Sequence, residues 1–405
     1  MLTFYNPLND QQSENKLVSR VKHLYYPIEL NIRIYKMLDG KILPLASLFA
    51  LALSTSLPLN ASENTFSQAY SDYQTALKQG DNAQIETSAK RAFELGEAQY
   101  AKDSVDLANL AMNWAGAIEK QVAPYPFAEQ NLPQTAKANE LYQLALTNYK
   151  VHYGKEALEL IDPLLGAAQT AVEAKDAKND LLDVITIAEK SDNKKLIADV
   201  KMAAFNRLSN TELYTRSVRS YAFEAYETYK EILPENALDR VKAAYVVGAV
   251  EYAEKHDDKA IPLLLEVVKQ FEALNYSHPY ALSAHAYLVE LYERQGKRDE
   301  STAHCIAIGK MRPWADAQEQ QPLFRTTPKY PASYVQKRKS GWVQLKFTVD
   351  EHGFVKNPEI LASKGGTLFE KESIEALNKW RYAPKFENGK AVEAQSSVQL
   401  DYTIN

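Results

Sequence analysis

Gly341-Trp342-Val343-Gln344-Leu345-Lys346-Phe347-Thr348-Val349-Asp350, followed by Gly353-Phe354-Val355, decides the fold of the C-terminal end of this chain. Val343, Leu345, Phe347 and Val349 share one face and Trp342, Gln344, Lys346 and Thr348 the other, the two-residue repeat of a half-buried strand. Asp350 to Gly353 supplies a turn. Phe354 to Ser363 then returns antiparallel, with Pro358, which has no amide to donate, at a bulge or on an outer edge. Thr367-Leu368-Phe369-Glu370 has the form of a capping box, so a helix starts there. Phe369, Ser373, Ala376, Leu377 and Trp380 recur at three- and four-residue spacing and give that helix an apolar stripe to lay on the sheet. The helix is expected to run into Trp380-Arg381-Tyr382-Ala383-Pro384, with Pro384 and Gly389 ending it. A closing strand, Ser396 to Ile404, places Val398, Leu400, Tyr402 and Ile404 on one face against Ser397, Gln399, Asp401 and Thr403. The expected order over 328–405 is strand, strand, helix, strand, a small α+β domain. Phe347, Trp380, Tyr382 and Tyr402 are its expected core, and Tyr330 is either core or contact surface.

Outward from this stretch, Pro328-Lys329-Tyr330-Pro331 precedes the first strand. A Tyr-Pro pair, a Gly-led strand G-x-V-x-L-x-F-x-V-D, a following G-x-V and a Trp-Arg-Tyr-x-Pro run form one ordered string, and this string resembles the C-terminal domain of the TonB family. The resemblance covers 328–405, about a fifth of the chain. It implies a periplasmic domain that grips a short extended peptide, the TonB box of an outer-membrane receptor, by adding it as a strand to an open sheet edge, where backbone hydrogen bonds give affinity and alternate side chains give choice. By that resemblance the gripping edge is the last strand, Ser397, Val398, Gln399, Leu400, Asp401, Tyr402 and Thr403, helped by the approach segment Arg325, Thr327, Lys329 and Tyr330. Thr327 stands where the best-known members carry a Gln, so the contact made by that Gln does not carry over. Lys337-Arg338-Lys339 is the one basic cluster, a solvated turn or a contact for an acidic receptor tail.

The middle, 62–314, is rich in Ala, Leu, Glu, Lys and Gln. Turn signals recur at Gln79-Gly80-Asp81-Asn82, His152-Tyr153-Gly154, Ser191-Asp192-Asn193, Lys255-His256-Asp257-Asp258 and Gln295-Gly296-Lys297-Arg298, several of them about forty residues or twice that apart, the period of a helical-repeat solenoid. Ala244 to Glu254 with Lys259 to Leu264 matches Ala284 to Gln295 with Glu300 to Ala303. These units resemble the longer form of tetratricopeptide repeats, and Leu107 to Ala111 looks like the first helix of another; a non-repeating helical bundle is the alternative. About six hairpins stacked roughly 8–10 Å apart would form a curved rod of the order of 60 Å. Its tyrosines, among them Tyr142, Tyr149, Tyr153, Tyr221, Tyr226, Tyr229, Tyr245, Tyr252, Tyr276, Tyr280, Tyr287 and Tyr292, would pack between helices or line a groove. Gln121 to Thr135, with three prolines, reads as an inserted loop, and 315–327 as a linker.

At the other end, Met37-Leu38-Asp39-Gly40-Lys41, the apolar Ile42 to Leu53 and the small-residue end Leu59-Asn60-Ala61 have the layout of a secretory signal peptide over 37–61. Residues 1–36, without period, read as a misassigned or disordered leader before a start at Met37. An uncleaved inner-membrane anchor over Ile42 to Leu59 is the competing reading, and a marginal span. The resemblance implies a His inside such an anchor for coupling to a proton-driven motor. None occurs between Ile42 and Ala61.

The chain of 405 residues is long enough for two or more cores, and its formal charge of −5 makes no case for nucleic acid or an anionic membrane as partner. Cys305, the single cysteine, is expected to be a small buried residue. No phosphate loop, nucleophile elbow or zinc-protease helix occurs, and His152, His256, His278, His285, His304 and His352 show no metal-ligand spacing, so neither a catalytic residue, a metal nor a cofactor is expected. The expectation is a multidomain, non-enzymatic periplasmic adaptor: an all-α repeat solenoid followed by a small sheet domain that binds the receptor's extended peptide in TonB-dependent transport across the outer membrane, with other periplasmic proteins held by the repeats. The alternative is a periplasmic scaffold for complex assembly that transduces no energy, and the absence of a long Pro-rich spacer speaks for it.

Overall fold

The computed structural model describes residues 65–123, 125–272, 278–311 and 322–404. The leader and signal-peptide readings, and the linker up to residue 321, lie outside these. The described residues divide into two compact units, one ending at Leu233 and one beginning at Pro234.

The first unit holds α1 (Phe66–Gln79), α2 (Asn82–Gln99), α3 (Val105–Val122), α4 (Leu132–Tyr153), α5 (Ile161–Thr170), α6 (Ala174–Glu189), α7 (Lys194–Leu208) and α8 (Arg216–Ile232). Each helix packs against the next in the chain, and short connections make the neighbours antiparallel. The starts follow local chemistry. The Asp81 carboxylate accepts from the amides of Ala83 and Gln84, the Ser104 hydroxyl from Leu107, and the Asn193 side chain from Leu196, each supplying an acceptor that a helix start lacks. Gly80 closes α1 in the left-handed conformation at φ 76°. The core is alanine-rich between larger residues: Ala69, Ala89, Ala108, Ala111, Ala138 and Ala145 alternate with Leu107, Trp114, Leu141 and Tyr142. The loop expected over Gln121 to Thr135 is shorter than the sequence suggested. α3 runs to Val122 and α4 starts at Leu132, because Pro133 fits the first turn of a helix, where its missing amide is not needed.

The second unit opens with two matched hairpins, α9 (Leu238–Ala253) with α10 (Asp257–Phe271), then α11 (Pro279–Arg294) with α12 (Arg298–Met311). Among the described residues the two units thus contain six helical hairpins, an all-α repeat region. The turns at Lys255 and Gly296 use positive φ, 64° and 71°. Tyr142, Tyr226, Tyr229, Tyr245, Tyr280 and Tyr292 are buried packing residues, whereas Tyr153 is 40% exposed.

The sheet domain follows: β1 (Pro322–Phe324), a short α13 (Ala332–Gln336), β2 (Gly341–Val349), β3 (Val355–Lys364), α14 (Thr367–Leu377), β4 (Arg381–Tyr382), β5 (Lys385–Glu387), β6 (Lys390–Val392) and β7 (Ala394–Tyr402). β2 is central, with β3 and β7 antiparallel on either side. Val343, Leu345, Phe347 and Val349 are buried against Phe369 and Leu377 of α14, Trp380, Tyr382, and Leu400 and Tyr402 of β7. Each such large apolar side chain contributes roughly 1.5–3 kcal/mol. Pro358 lies where the β2–β3 register shifts, on the outer strand and next to Asn357 at φ 49°, as its missing donor requires.

Three expectations need correction. Thr367 does not cap its helix: Gly365 and Gly366, at φ 112° and 119°, swing the chain in, so Thr367 is already the first helical residue and Glu370 accepts from Ser363 instead. The helix stops at Leu377 and does not continue to Pro384; the Tyr382 amide donates to the Gly353 carbonyl, and β4 pairs with β1. Past it, Asn388 and Gly389, both with positive φ, turn the β5–β6 hairpin, a two-residue turn signal that the sequence displays. Finally, the closing strand spans Ala394–Tyr402, because the ladder with β2 extends to Val349↔Ala394, and Thr403 lies just beyond it.

Candidate peptide-binding edge

Among the described residues β7 pairs with β2 alone, so one of its sides carries no strand. The turn between β2 and β3 settles which backbone groups face that side. The Asp350 amide donates to the Phe354 carbonyl at 2.9 Å, so Asp350 faces β3. Backbone direction alternates along an antiparallel strand, and β2 runs without register shift against β7; its odd-numbered residues therefore turn to β7, where they meet Ala394, Ser396, Val398, Leu400 and Tyr402. The amides and carbonyls of Gln395, Ser397, Gln399 and Asp401 point the other way, into the open margin. The side chains of these four also fall on the polar face, where Gln344 donates to Gln399 at 2.9 Å, Gln395 to Thr348 at 2.7 Å and Gln399 to Asp401 at 2.8 Å.

The turn that fixes this register is itself tightly specified. The Asp350 carboxylate accepts from the amides of His352 and Phe354, the Gly353 amide donates to the Asp350 carbonyl, and Gly353 sits at φ 84°. A Cβ on Gly353 would stand 2.1 Å from the Tyr382 carbonyl oxygen, so glycine is needed both for φ and for space.

The approach segment is extended and alternates: Arg325, Thr327 and Lys329 are exposed, while Thr326, Pro328 and Tyr330 are half-buried. Thr326 fastens it to the end of α14, its hydroxyl donating to the Ala376 carbonyl and its carbonyl accepting from the Trp380 indole. The Arg325 guanidinium lies 5.8 Å from the Trp380 ring centre. Tyr330 donates to the Lys339 carbonyl and sets its ring edge-on to Phe369 and Tyr402, which brings the segment to the Tyr402 end of β7. Tyr402 in turn shares a hydrogen bond with Ser373 and donates to the Phe369 carbonyl, and burial pushes its phenol up to about 12. Of the predicted approach residues, Tyr330 meets the Tyr402 end of β7, whereas Arg325 lies over Trp380; Tyr330 and Tyr402 serve the core of the domain as well.

Of the histidines for which the sequence suggests no metal-ligand spacing, His256 stands in a cluster with two acidic side chains. Glu251, Glu254 and His256, at the end of α9, bring three metal-ligand atoms within 4.8 Å of one another, with His256 Nδ1 2.6 Å from the Glu251 carboxylate. The signal, two glutamates three apart and a histidine two further on, was present but mixed with turn residues. Cys305 is buried, as expected of a small apolar side chain.

Residues 326–404, the sheet domain, match the family described as Gram-negative bacterial TonB protein C-terminal. The TonB protein of Escherichia coli K12 is 42% identical over 62 residues, 15% of this chain and 26% of that protein. The TonB protein of Pseudomonas aeruginosa is 29% identical over 84 residues, 21% of this chain and 25% of the relative. The chain thus spans about a quarter of the length of these curated relatives. The solution structure of the Pseudomonas aeruginosa TonB C-terminal domain is 27% identical, covering 22% of this chain and 90% of that one at a TM-score of 0.20. A Podosopora anserina putative kinesin light chain with TPR-like repeats is 15% identical, covering 52% of this chain and 97% of that one at 0.42. These superpositions are loose, and the helical repeat is established here by the packing of successive hairpins.

Proposed function

We propose that the sheet domain captures an extended peptide as an added strand along β7, and that the chain serves as a periplasmic TonB-type adaptor in transport across the outer membrane, its guest being the TonB box of a receptor. The observation that carries this reading is the open margin of β7, where four alternate residues present unpaired backbone direction to solvent beside the polar side chains that would read a guest. The match of 326–404 to the TonB C-terminal family supports the choice of guest.

The test is binding of a synthetic TonB-box peptide to the full chain by calorimetry, compared with Gln399→Pro and Gln399→Ala. Gln399→Pro removes an outward donor without touching the ladder to β2 and should weaken binding about tenfold, the worth of one backbone hydrogen bond and its alignment. Gln399→Ala keeps the outward amide and loses only the side chain, so it should weaken binding distinctly less than the proline does. Equal binding by all three would exclude strand addition at β7. The second reading, a scaffold that transduces no energy, draws on the predominance of helical repeats; it expects no peptide affinity and loss of a periplasmic partner when the surface of the repeats is altered.

A further inference from the structure

In the second unit the sheet domain is seated on the last helical hairpin through a contact built around Arg381. This guanidinium, 1% exposed, donates through Nη1 to the Glu293 carboxylate of α11 and to Ser301 Oγ of α12 at 3.2 Å. Nη2 donates to Thr302 Oγ1 at 2.8 Å and to the His352 carbonyl at 3.0 Å. The cation also lies 3.8 Å over the Phe354 ring, in the β2–β3 turn. Glu293 is 5% exposed in its side chain and takes a second hydrogen bond from Ser301 at 2.7 Å. One arginine therefore ties the end of α11, the start of α12 and the sheet's turn together. Beside it Val289, Cys305 and Ile308 of the hairpin bury an apolar patch against Ala383, Leu323 and Phe324. Further along α12, Gly309 is so close to the domain that a Cβ there would stand 2.6 Å from the Pro384 carbonyl oxygen and 2.9 Å from the Phe386 ring.

A buried ion pair is costly to form, and breaking one half of it strands a charge away from water. A pair in this position, inside an apolar contact with glycine at its closest approach, is a docking surface made for one partner. We propose that α11–α12 is a dedicated mount for the sheet domain, latched by Arg381 and Glu293, so that β7 is held at a fixed angle on the hairpin and hairpin and sheet unfold as one cooperative unit. The mount does not depend on what β7 binds. None of the outward-facing residues Gln395, Ser397, Gln399 and Asp401 of β7 belongs to it.

The test uses the full chain with a protease site placed between residues 311 and 322. After cleavage of the otherwise unaltered chain, the sheet domain should co-elute with the helical part on gel filtration. Arg381→Met should release it. Since Arg381→Met may also unfold the sheet, Gly309→Leu is the decisive variant: leucine suits a helix better than glycine, so α12 keeps its fold while its surface is blocked, and the sheet domain should again separate. In the uncut chain, Gly309→Leu should raise hydrogen exchange at least tenfold in Cys305, Ile308 and the β4 amides and leave residues 65–233 unchanged. Dissociation of the cleaved parent, or co-elution of cleaved Gly309→Leu, overturns the mount.

Discussion

Glu119, in α3, is a carboxyl held where a charge is unwelcome: burial raises it to about 7, and the hydrogen bond donated by Tyr142 only partly opposes this. Its folded-state value lies above the ordinary 4.5, so its contribution is fully present below 4.5 and is lost as pH rises through 7. Glu119→Gln keeps an acceptor for Tyr142 and should stabilise residues 65–233 by about 1–2 kcal/mol at pH 8, with little effect at pH 4, in chemical denaturation. His285 and His304 behave in the opposite sense. Their Nδ1 atoms meet at 2.7 Å between α11 and α12, so one ring donates and the other accepts. Burial lowers each to about 4, and for His304 the neighbouring His285 adds to it. As pH falls from the ordinary 6.5 toward 4, the unfolded chain takes up protons that the folded hairpin refuses. The protection of α11–α12 amides, taken relative to the intrinsic exchange rate at each pH, should therefore fall between pH 7 and pH 5, and His304→Asn should flatten that dependence. Neither effect was legible in the sequence, since a residue's burial is set by neighbours tens of positions away.

At the scale of elements, alternation and helical period carried most of the sheet domain. Val343 to Val349 alternates in the sequence and is buried on the expected face, and Pro358 marks the bulge. The closing strand was two residues out because its limit is set by where β2 stops offering partners, which composition does not encode. The helix is shorter than its apolar stripe, because Trp380 continues the stripe of α14 although the chain has already left the helix. The β2–β3 turn offers the sharpest test at this scale. Gly353→Ala combines positive φ with a clash at the Tyr382 carbonyl, and should destabilise the second unit by about 2 kcal/mol or more, read as a lower denaturation midpoint with unchanged slope.

For the whole molecule, the division at Leu233 and Pro234 implies two cooperative units of comparable size. Hydrogen exchange on the full chain should show two groups of protection, with Glu119→Gln moving only the group over 65–233 and Gly353→Ala only that over 234–404. A single common response to both variants would contradict separate units. The sequence suggested a change of character at 315–327, where composition turns from helical to sheet-forming; packing groups the last two hairpins with the sheet.

By itself the sequence determined the helices of the middle region and the strands β2, β3 and β7 with their alternating polarity, because these follow from periods of two to four residues and from turn chemistry a few positions long; β1, β4, β5 and β6 it left unassigned. Only the tertiary structure decided that the outward donors of β7 are Gln395, Ser397, Gln399 and Asp401, and that Arg381 belongs to Glu293. The first depends on the phase of a ladder fixed at Asp350, and the second on a charge that is tolerable in the interior only because a partner 88 positions away is buried beside it.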